Sequence, residues 1–293
     1  MKITNNHNLP QTFVNVLERP SYDKGAAHLS ATELLGSPQI SVLKKRHYEE
    51  LEEDAMDMVW SMFGTAIHNI LEKGADEHHI VEERIHAELD GWNISGAIDL
   101  QHVLEDGIEV NDYKTVGVYG VMHEKKEWEE QLNIYAWLVE KVKKQPVVGL
   151  KIVAIIRDWS RRDAENRANY PRTPVATIDI DLWPMEKREE FIRNRIHSHS
   201  EALFAAETGA TLPPCTAAEM WEKETVYALK KNGAVRAKSL HATMEEAEAA
   251  LEEAGKGFTI ETRPGERTRC KFYCPVSKYC QQYKLYTEEQ ENV

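Results

Sequence analysis

From Met58 to Lys73 the apolar residues Val59, Met62, Phe63, Ala66, Ile67, Ile70 and Leu71 fall at helical spacing, and Gly74 is a plausible C-terminal stop. Gly64 and His68 stand four apart, so they share a face beside that stripe. A glycine there predicts the close approach of another backbone. Three strand-like runs follow: Ile80 to Leu89, Trp92 to Leu104 and Ile108 to Thr115. Asp90-Gly91 and Asp106-Gly107 separate them, and both are hairpin-turn dipeptides, so an antiparallel meander is expected.

A second helix is expected from about Glu124 to Lys144, with Trp128, Leu132, Tyr135 and Leu138-Val139 as its apolar stripe and Pro146 as its end. Val147 to Trp159 is a continuous apolar strand that predicts burial on both faces. A basic loop over 160–172, an alternating strand from Val175 to Leu182 and a long helix from Pro184 to Gly209 complete this part. Ahead of it, Ser30-Ala31-Thr32-Glu33 reads as a capping box for a short helix through Leu34-Leu35, ending near Gly36-Ser37-Pro38, with an acidic stretch at Glu49 to Asp54.

The pattern predicts an α/β core over residues 30–210, a mixed central sheet flanked by helices, behind a lead-in at 1–29. Residues 211–293 read as a separate small unit. Strands at Thr225 to Lys231 and Ala234 to His241 are joined by Asn232-Gly233. A capped helix from Thr243-Glu246 runs to Gly255, and Gly257 to Arg263 is a last strand. This ββαβ insert, at about 222–264, lies between Cys215 and the remaining cysteines. A compact insert brings its ends together, which would place Cys215 beside Cys270, Cys274 and Cys280.

At 42% hydrophobic and 29% charged the chain has an ordinary globular composition. No run reaches the length of a membrane span, and the N-terminus lacks a signal-peptide pattern, so a cytoplasmic protein is expected. A net charge of −13 argues against non-specific coating of nucleic acid but allows a basic groove on an acidic body. Lys44-Lys45-Arg46-His47, Lys125-Lys126, the Arg157 to Arg172 loop and the hairpin with Lys230, Lys231, Arg236 and Lys238 are candidates for such a groove. They serve equally well as solvated faces.

Asp99 lies on the second meander strand and Asp112 and Lys114 on the third. Residues two apart on a strand share a face, so Asp112 and Lys114 project together and Asp99 can face them. Carboxylates crowded in apolar surroundings cost solvation, which a cation offsets. Hard divalent cations take carboxylate oxygens, so Asp99, Asp112 and the carbonyl of Tyr113 form a half-shell for Mg²⁺. Such a metal acidifies a bound water and stabilises charge on a phosphate, with Lys114 orienting that water. In a reducing compartment Cys215, Cys270, Cys274 and Cys280 suit zinc or an iron–sulfur cluster better than two disulfides. No Gly-x-x-x-x-Gly-Lys-Ser/Thr loop and no Gly-x-Ser-x-Gly elbow occur, so any motor activity would come from a partner. His78-His79 lacks metalloprotease spacing.

The ordered set Gly64-Thr65-Ala66-Ile67-His68, Gly96-Ala97-Ile98-Asp99, Asp112-Tyr113-Lys114-Thr115 and Gln131-Leu132-Asn133-Ile134-Tyr135 resembles the motifs of the RecB-like branch of the PD-(D/E)XK nuclease superfamily. That branch includes Cas4-like and AddB nuclease domains and phage exonucleases. The resemblance covers about residues 30–160 and implies a restriction-endonuclease-like core acting on DNA. It implies that His68, Asp99 and Asp112 bind Mg²⁺ or Mn²⁺, that Lys114 is the catalytic lysine, and that Gln131 and Tyr135 help place the DNA backbone. An imidazole ligand favours Mn²⁺ as an activator. It implies a DNA exonuclease in bacterial or phage recombination, repair or processing, with a helicase or recombination protein as the kind of partner expected; no oligomeric state follows.

Several relatives tie a [4Fe–4S] cluster to cysteines on both sides of the core. Here Ser37-Pro38 stands where the early cysteine-proline is expected, and Cys215 follows the core, which keeps zinc open. The rival from another class is a non-catalytic DNA-binding or scaffold protein with a structural zinc or iron–sulfur site.

Overall fold

The computed structural model describes residues 1–19, 24–123 and 126–291. They form two compact units, residues 1–42 with 48–212, and residues 43–47 with 213–293. Among the described residues no helix is long and apolar enough to cross a membrane.

The first unit holds a mixed six-stranded sheet. Asp90-Gly91 does what its composition predicts: both residues have positive φ, 51° and 80°, the backbone of a tight hairpin turn. It fixes the pairing of His79–Leu89 with Trp92–Val103 at Leu89↔Trp92. On its other side the Trp92 strand has two partners in succession. Leu29–Ser30 runs parallel to it at Ile94 and Ser95, and Ile108–Val116 runs antiparallel to it from Leu100↔Asn111 to Val103↔Ile108. Between these ladders the strands part, and Asp99 sits in the fork. Val147–Ile156 lies parallel to the Ile108 strand, and Val175–Asp179 closes the sheet antiparallel.

The helix Lys126–Lys143 fills the core against this sheet. Leu132, Trp137 and Leu138 are fully buried, beside Ile98, Val110, Leu150 and Ile152. Its buried polar residue is satisfied: Asn133 donates to the carbonyls of Glu129 and Asp181 and accepts from the Trp183 amide. The expected start at Glu124 lies outside the described residues. The helix Met185–Thr208 follows Pro184 and ends at Gly209 in the left-handed conformation, φ 73°.

Several expectations need correction. Val147–Ile156 is shorter than expected and buries alternate residues, because Lys151 on its other face pairs with Glu109 at 2.7 Å. Pro38 does not only stop a helix; it opens another, Pro38–Arg46, as a residue whose missing N–H costs nothing in a first turn. The helix with the Val59 stripe spans Ala55–Leu71, but only Ala55 in it is buried, and Trp60, Phe63 and Ile70 stand exposed. No other backbone approaches Gly64: apart from its own helix backbone and chain neighbours, a Cβ there would meet no atom within 4 Å.

In the second unit Val226–Lys231 lies between Ser239–His241 and Phe258–Arg263, all antiparallel, with Met244–Ala254 alongside. Asn232-Gly233 does turn the chain, with Ala234 N–H donating to the Lys231 carbonyl, but of the two only Gly233 has positive φ. A tight two-residue hairpin turn of the Asn-Gly type needs both. The second strand therefore begins at Ser239 and not at Ala234.

Candidate metal centre

The fork in the sheet builds the centre. Where the ladder ends at Leu100↔Asn111, the Tyr113 amide has lost the strand it would pair with. Asp99 Oδ2 takes that N–H at 2.8 Å. Asp99 is therefore held by backbone, with Oδ1 turned toward His68 Nδ1 at 3.6 Å. His68 comes from the Ala55–Leu71 helix, and its Nε2 lies 3.0 Å from the Tyr113 carbonyl. A carbonyl can only accept, so Nε2 carries the proton and, in neutral imidazole, Nδ1 presents its lone pair. That lone pair faces carboxylates: Asp99 Oδ1, and Glu82 Oε1 at 3.8 Å. Lone pairs turned on one another require a proton or a cation between them.

Sequence reading did not single out Glu82, although the signal was present. Counting back along both strands from Leu89↔Trp92 places Glu82 opposite Asp99. The ladder passes from Val81↔Leu100 to Glu83↔Ile98, and Glu82 itself adopts φ 49°, a conformation uncommon for glutamate. Among the described residues, His68, Glu82 and Asp99 form the set of potential ligands whose donor atoms all lie within 4.8 Å of one another.

Asp112 and Lys114 do project together, two apart on the Ile108–Val116 strand. Lys114 Nζ lies 2.6 Å from Asp112 Oδ2 and donates to Gln131 Oε1 at 3.0 Å. Gln131 Nε2 donates to Asp112 Oδ1 at 3.3 Å and to the Tyr135 hydroxyl at 2.8 Å. Gln131 thus clamps both members of the Asp-x-Lys pair. Tyr135 is buried, and its ring packs on Gly96, where a Cβ would sit 2.8 Å from the ring and 2.7 Å from Leu138. Gly96 is needed for that contact. Gln131 and Tyr135, expected to place DNA, line the same cleft as the carboxylates, and Gln131 also fixes Lys114. The Tyr113 carbonyl, expected as a metal ligand, faces His68 Nε2.

The charges are costly as they stand. Burial, and then the neighbouring Asp112, push the Asp99 carboxyl up to about 8, against the pull of the Tyr113 amide and Lys114. Burial also pushes Glu82 up, with Glu72 and Asp112 adding to it and His68 opposing. A divalent cation would remove this penalty, and the donors present, one imidazole and carboxylates, fit Mg²⁺ or Mn²⁺. The centre opens into a cleft of about 330 Å³, whose lining includes Thr65, His68, Glu82, Asp99, Asp112 and Lys114.

In the second unit none of the four cysteines forms a disulfide. Gln282 clamps the backbone of Cys215, accepting from its N–H at 2.8 Å and donating to its carbonyl at 2.9 Å, which holds it beside the chain just past Cys280. Burial pushes the thiols of Cys270 and Cys274 up, and Cys280 contributes to both shifts, so these three share one neighbourhood. Unlike His68, Glu82 and Asp99, the cysteines do not form a set with all donor atoms within 4.8 Å.

Residues 44–281 match the family model of the PD-(D/E)XK nuclease superfamily, and the chain belongs to that superfamily. An uncharacterised Bacillus subtilis protein, YqaQ, is 28% identical over 86 residues, 29% of this chain. The match spans 57% of that relative's length. Among solved structures, SSO0001 is similar with a TM-score of 0.42 and 17% identity, over 64% of this chain and 82% of its own. A "putative exonuclease" from Eubacterium rectale is similar with a TM-score of 0.28 and 9% identity, over 70% of this chain and 75% of its own.

Proposed function

We propose that this nuclease is a metal-dependent DNA exonuclease that hydrolyses phosphodiester bonds at the His68–Glu82–Asp99 centre, in bacterial or phage DNA recombination, repair or processing. The observation that carries the reading is His68 Nδ1 lying 3.6 Å from Asp99 Oδ1 and 3.8 Å from Glu82 Oε1, with the Asp99 carboxyl pushed up to about 8 by burial and by Asp112. Such an arrangement needs a proton or a cation between its donor atoms, and a bound divalent cation displaces the proton.

His68, Glu82 and Asp99 would hold Mg²⁺ or Mn²⁺, with Asp112, whose Oδ2 also pairs with Lys114, completing the set. When bound, the cation supplies an acidified water for attack and neutralises charge on the scissile phosphate. The Tyr113 amide fixes the Asp99 carboxylate through Oδ2 and leaves Oδ1 for the ligand. Gln131 and Asp112 fix the Lys114 ammonium, so its remaining N–H can donate to the attacking water or to a phosphate oxygen. Tyr135, packed on Gly96, accepts from Gln131 and so helps hold it.

The reading extends to the second unit, where Cys215, Cys270, Cys274 and Cys280 bind a [4Fe–4S] cluster, with zinc as the alternative. Its support is the shared neighbourhood of three thiols and the Gln282 clamp on the fourth cysteine. Iron, sulfide and zinc analysis of anaerobically purified protein separates the two.

Linear and circular single-stranded DNA, each incubated with Mn²⁺, with Mg²⁺ and with EDTA, test the activity. The expected result is loss of linear DNA with either metal, survival of the circle and no cleavage in EDTA. Cutting of the circle would replace exonuclease with endonuclease action, and cleavage in EDTA would remove the metal from the account.

A further inference from the structure

We propose that Trp60, Phe63 and Arg157 form a stacking platform that takes unpaired bases of the substrate strand and leads it along the helix to His68. The proposal rests on the nuclease reading above and deepens it, by assigning a single-stranded substrate segment to a particular surface.

The Ala55–Leu71 helix has an apolar stripe that the fold leaves uncovered. Trp60 is 61% exposed and Phe63 41%. Their rings meet edge to face, 6.3 Å apart at 88°, so the exposed indole is braced. The Arg157 guanidinium lies 4.2 Å from the Trp60 ring centroid. Arg157 is itself exposed, and among the described residues it makes no ion pair. An unpaired arginine stacked on an exposed indole offers a π-face and a positive charge side by side. On a chain of net charge −13 that pairing is selective: an apolar protein segment would gain nothing from the cation, whereas a nucleotide has a base for the ring and a phosphate for the guanidinium.

The platform is continuous with the metal centre. Trp60, Gly64 and His68 follow one another at intervals of four, one above the next, and span two helical turns, about 12 Å. Between the ring and the imidazole, Gly64 leaves bare backbone, and apart from its own helix backbone and chain neighbours no atom lies within 4 Å of where its Cβ would be. A sugar–phosphate chain can pass there without displacing a side chain. In a duplex the bases stack on one another and present no free face to an indole, so the occupant is an unpaired strand.

The test is binding of labelled oligothymidylate to the full chain in EDTA, where no cleavage occurs, beside an abasic oligomer of equal length and charge and a matched duplex. Wild type should bind oligothymidylate about five-fold or more tighter than the abasic strand, and more tightly than the duplex. Trp60→Ala should erase the preference over the abasic strand, Trp60→Phe should restore most of it, and Arg157→Ala should weaken both single strands. Melting temperatures confirm folding; should Trp60→Ala fail to fold, Phe63→Ser and the wild-type comparison of the three ligands decide. Equal wild-type affinity for abasic strand and oligothymidylate, tighter binding of duplex, or an unaltered Trp60→Ala profile overturns the proposal. Because no step needs metal, a positive result with no cleavage in Mn²⁺ would reject the nuclease reading and leave the platform standing.

Discussion

Asp99 Oδ2 accepts the Tyr113 N–H at 2.8 Å, and so replaces the strand partner that the Tyr113 backbone loses in the fork of the sheet. One aspartate thereby closes an open ladder and points its other oxygen at His68. The bond pulls the carboxyl toward the charged form, but burial and Asp112 outweigh it and leave the group near 8.

The sign of the pH dependence follows. The folded-state value lies above the unfolded one, so in metal-free protein the folded state binds the extra proton between about pH 4 and about 8. The stability this contributes is fully present below the lower limit and is lost as pH rises through the upper one. In EDTA the melting temperature should fall from pH 5 to pH 8, and Asp99→Asn should flatten that slope. Mn²⁺ should raise the melting temperature more at pH 8 than at pH 6, since binding displaces the proton. An equal metal effect at both pH values would argue against Asp99 as a ligand.

Glu82 should matter as much as the aspartates of the recognised motifs. Glu82→Gln removes one carboxylate from the His68–Glu82–Asp99 set. Mn²⁺ affinity, measured by titration calorimetry, should fall about 10-fold or more. Stability of the metal-free protein should hold or rise, because a crowded charge is gone. Unchanged affinity would return Glu82 to the surface.

Two glycines of the motifs should respond in opposite ways to alanine. At Gly96 the new Cβ would lie 2.7 Å from Leu138 and 2.8 Å from the Tyr135 ring, so Gly96→Ala should cost about 1–3 kcal/mol in urea denaturation and disturb Gln131. At Gly64, inside a helix with open space around it, Gly64→Ala should stabilise by about 1 kcal/mol.

Much of this could be read from the chain. Asp90-Gly91 fixed a register that extends to the Glu82–Asp99 pair, because a two-residue turn leaves no freedom in counting. Asp112 and Lys114 share a face because the strand period allows nothing else. The His68 helix shows the limit. Its apolar spacing is that of a buried helix, but spacing records which face is apolar and not what covers it, and Trp60 and Ile70 remain exposed. Gln131 and Tyr135 carry the same lesson. Their spacing put them on one face, yet only the packed structure shows Gln131 bonded to Lys114, Asp112 and Tyr135, with the Tyr135 ring against Gly96. Asn232-Gly233 has the composition of a tight hairpin and one residue too few with positive φ.

The Asp-x-Lys pair and the ligands facing it should cut phosphodiester bonds. Cleavage of end-labelled single-stranded DNA in Mn²⁺, with Asp112→Ala and Lys114→Ala beside wild type and each matched for melting temperature, tests it most directly. Wild type should release short labelled products, and both variants should be slower by about 100-fold or more. Wild type that releases nothing, or variants that cut as fast as wild type, would contradict it.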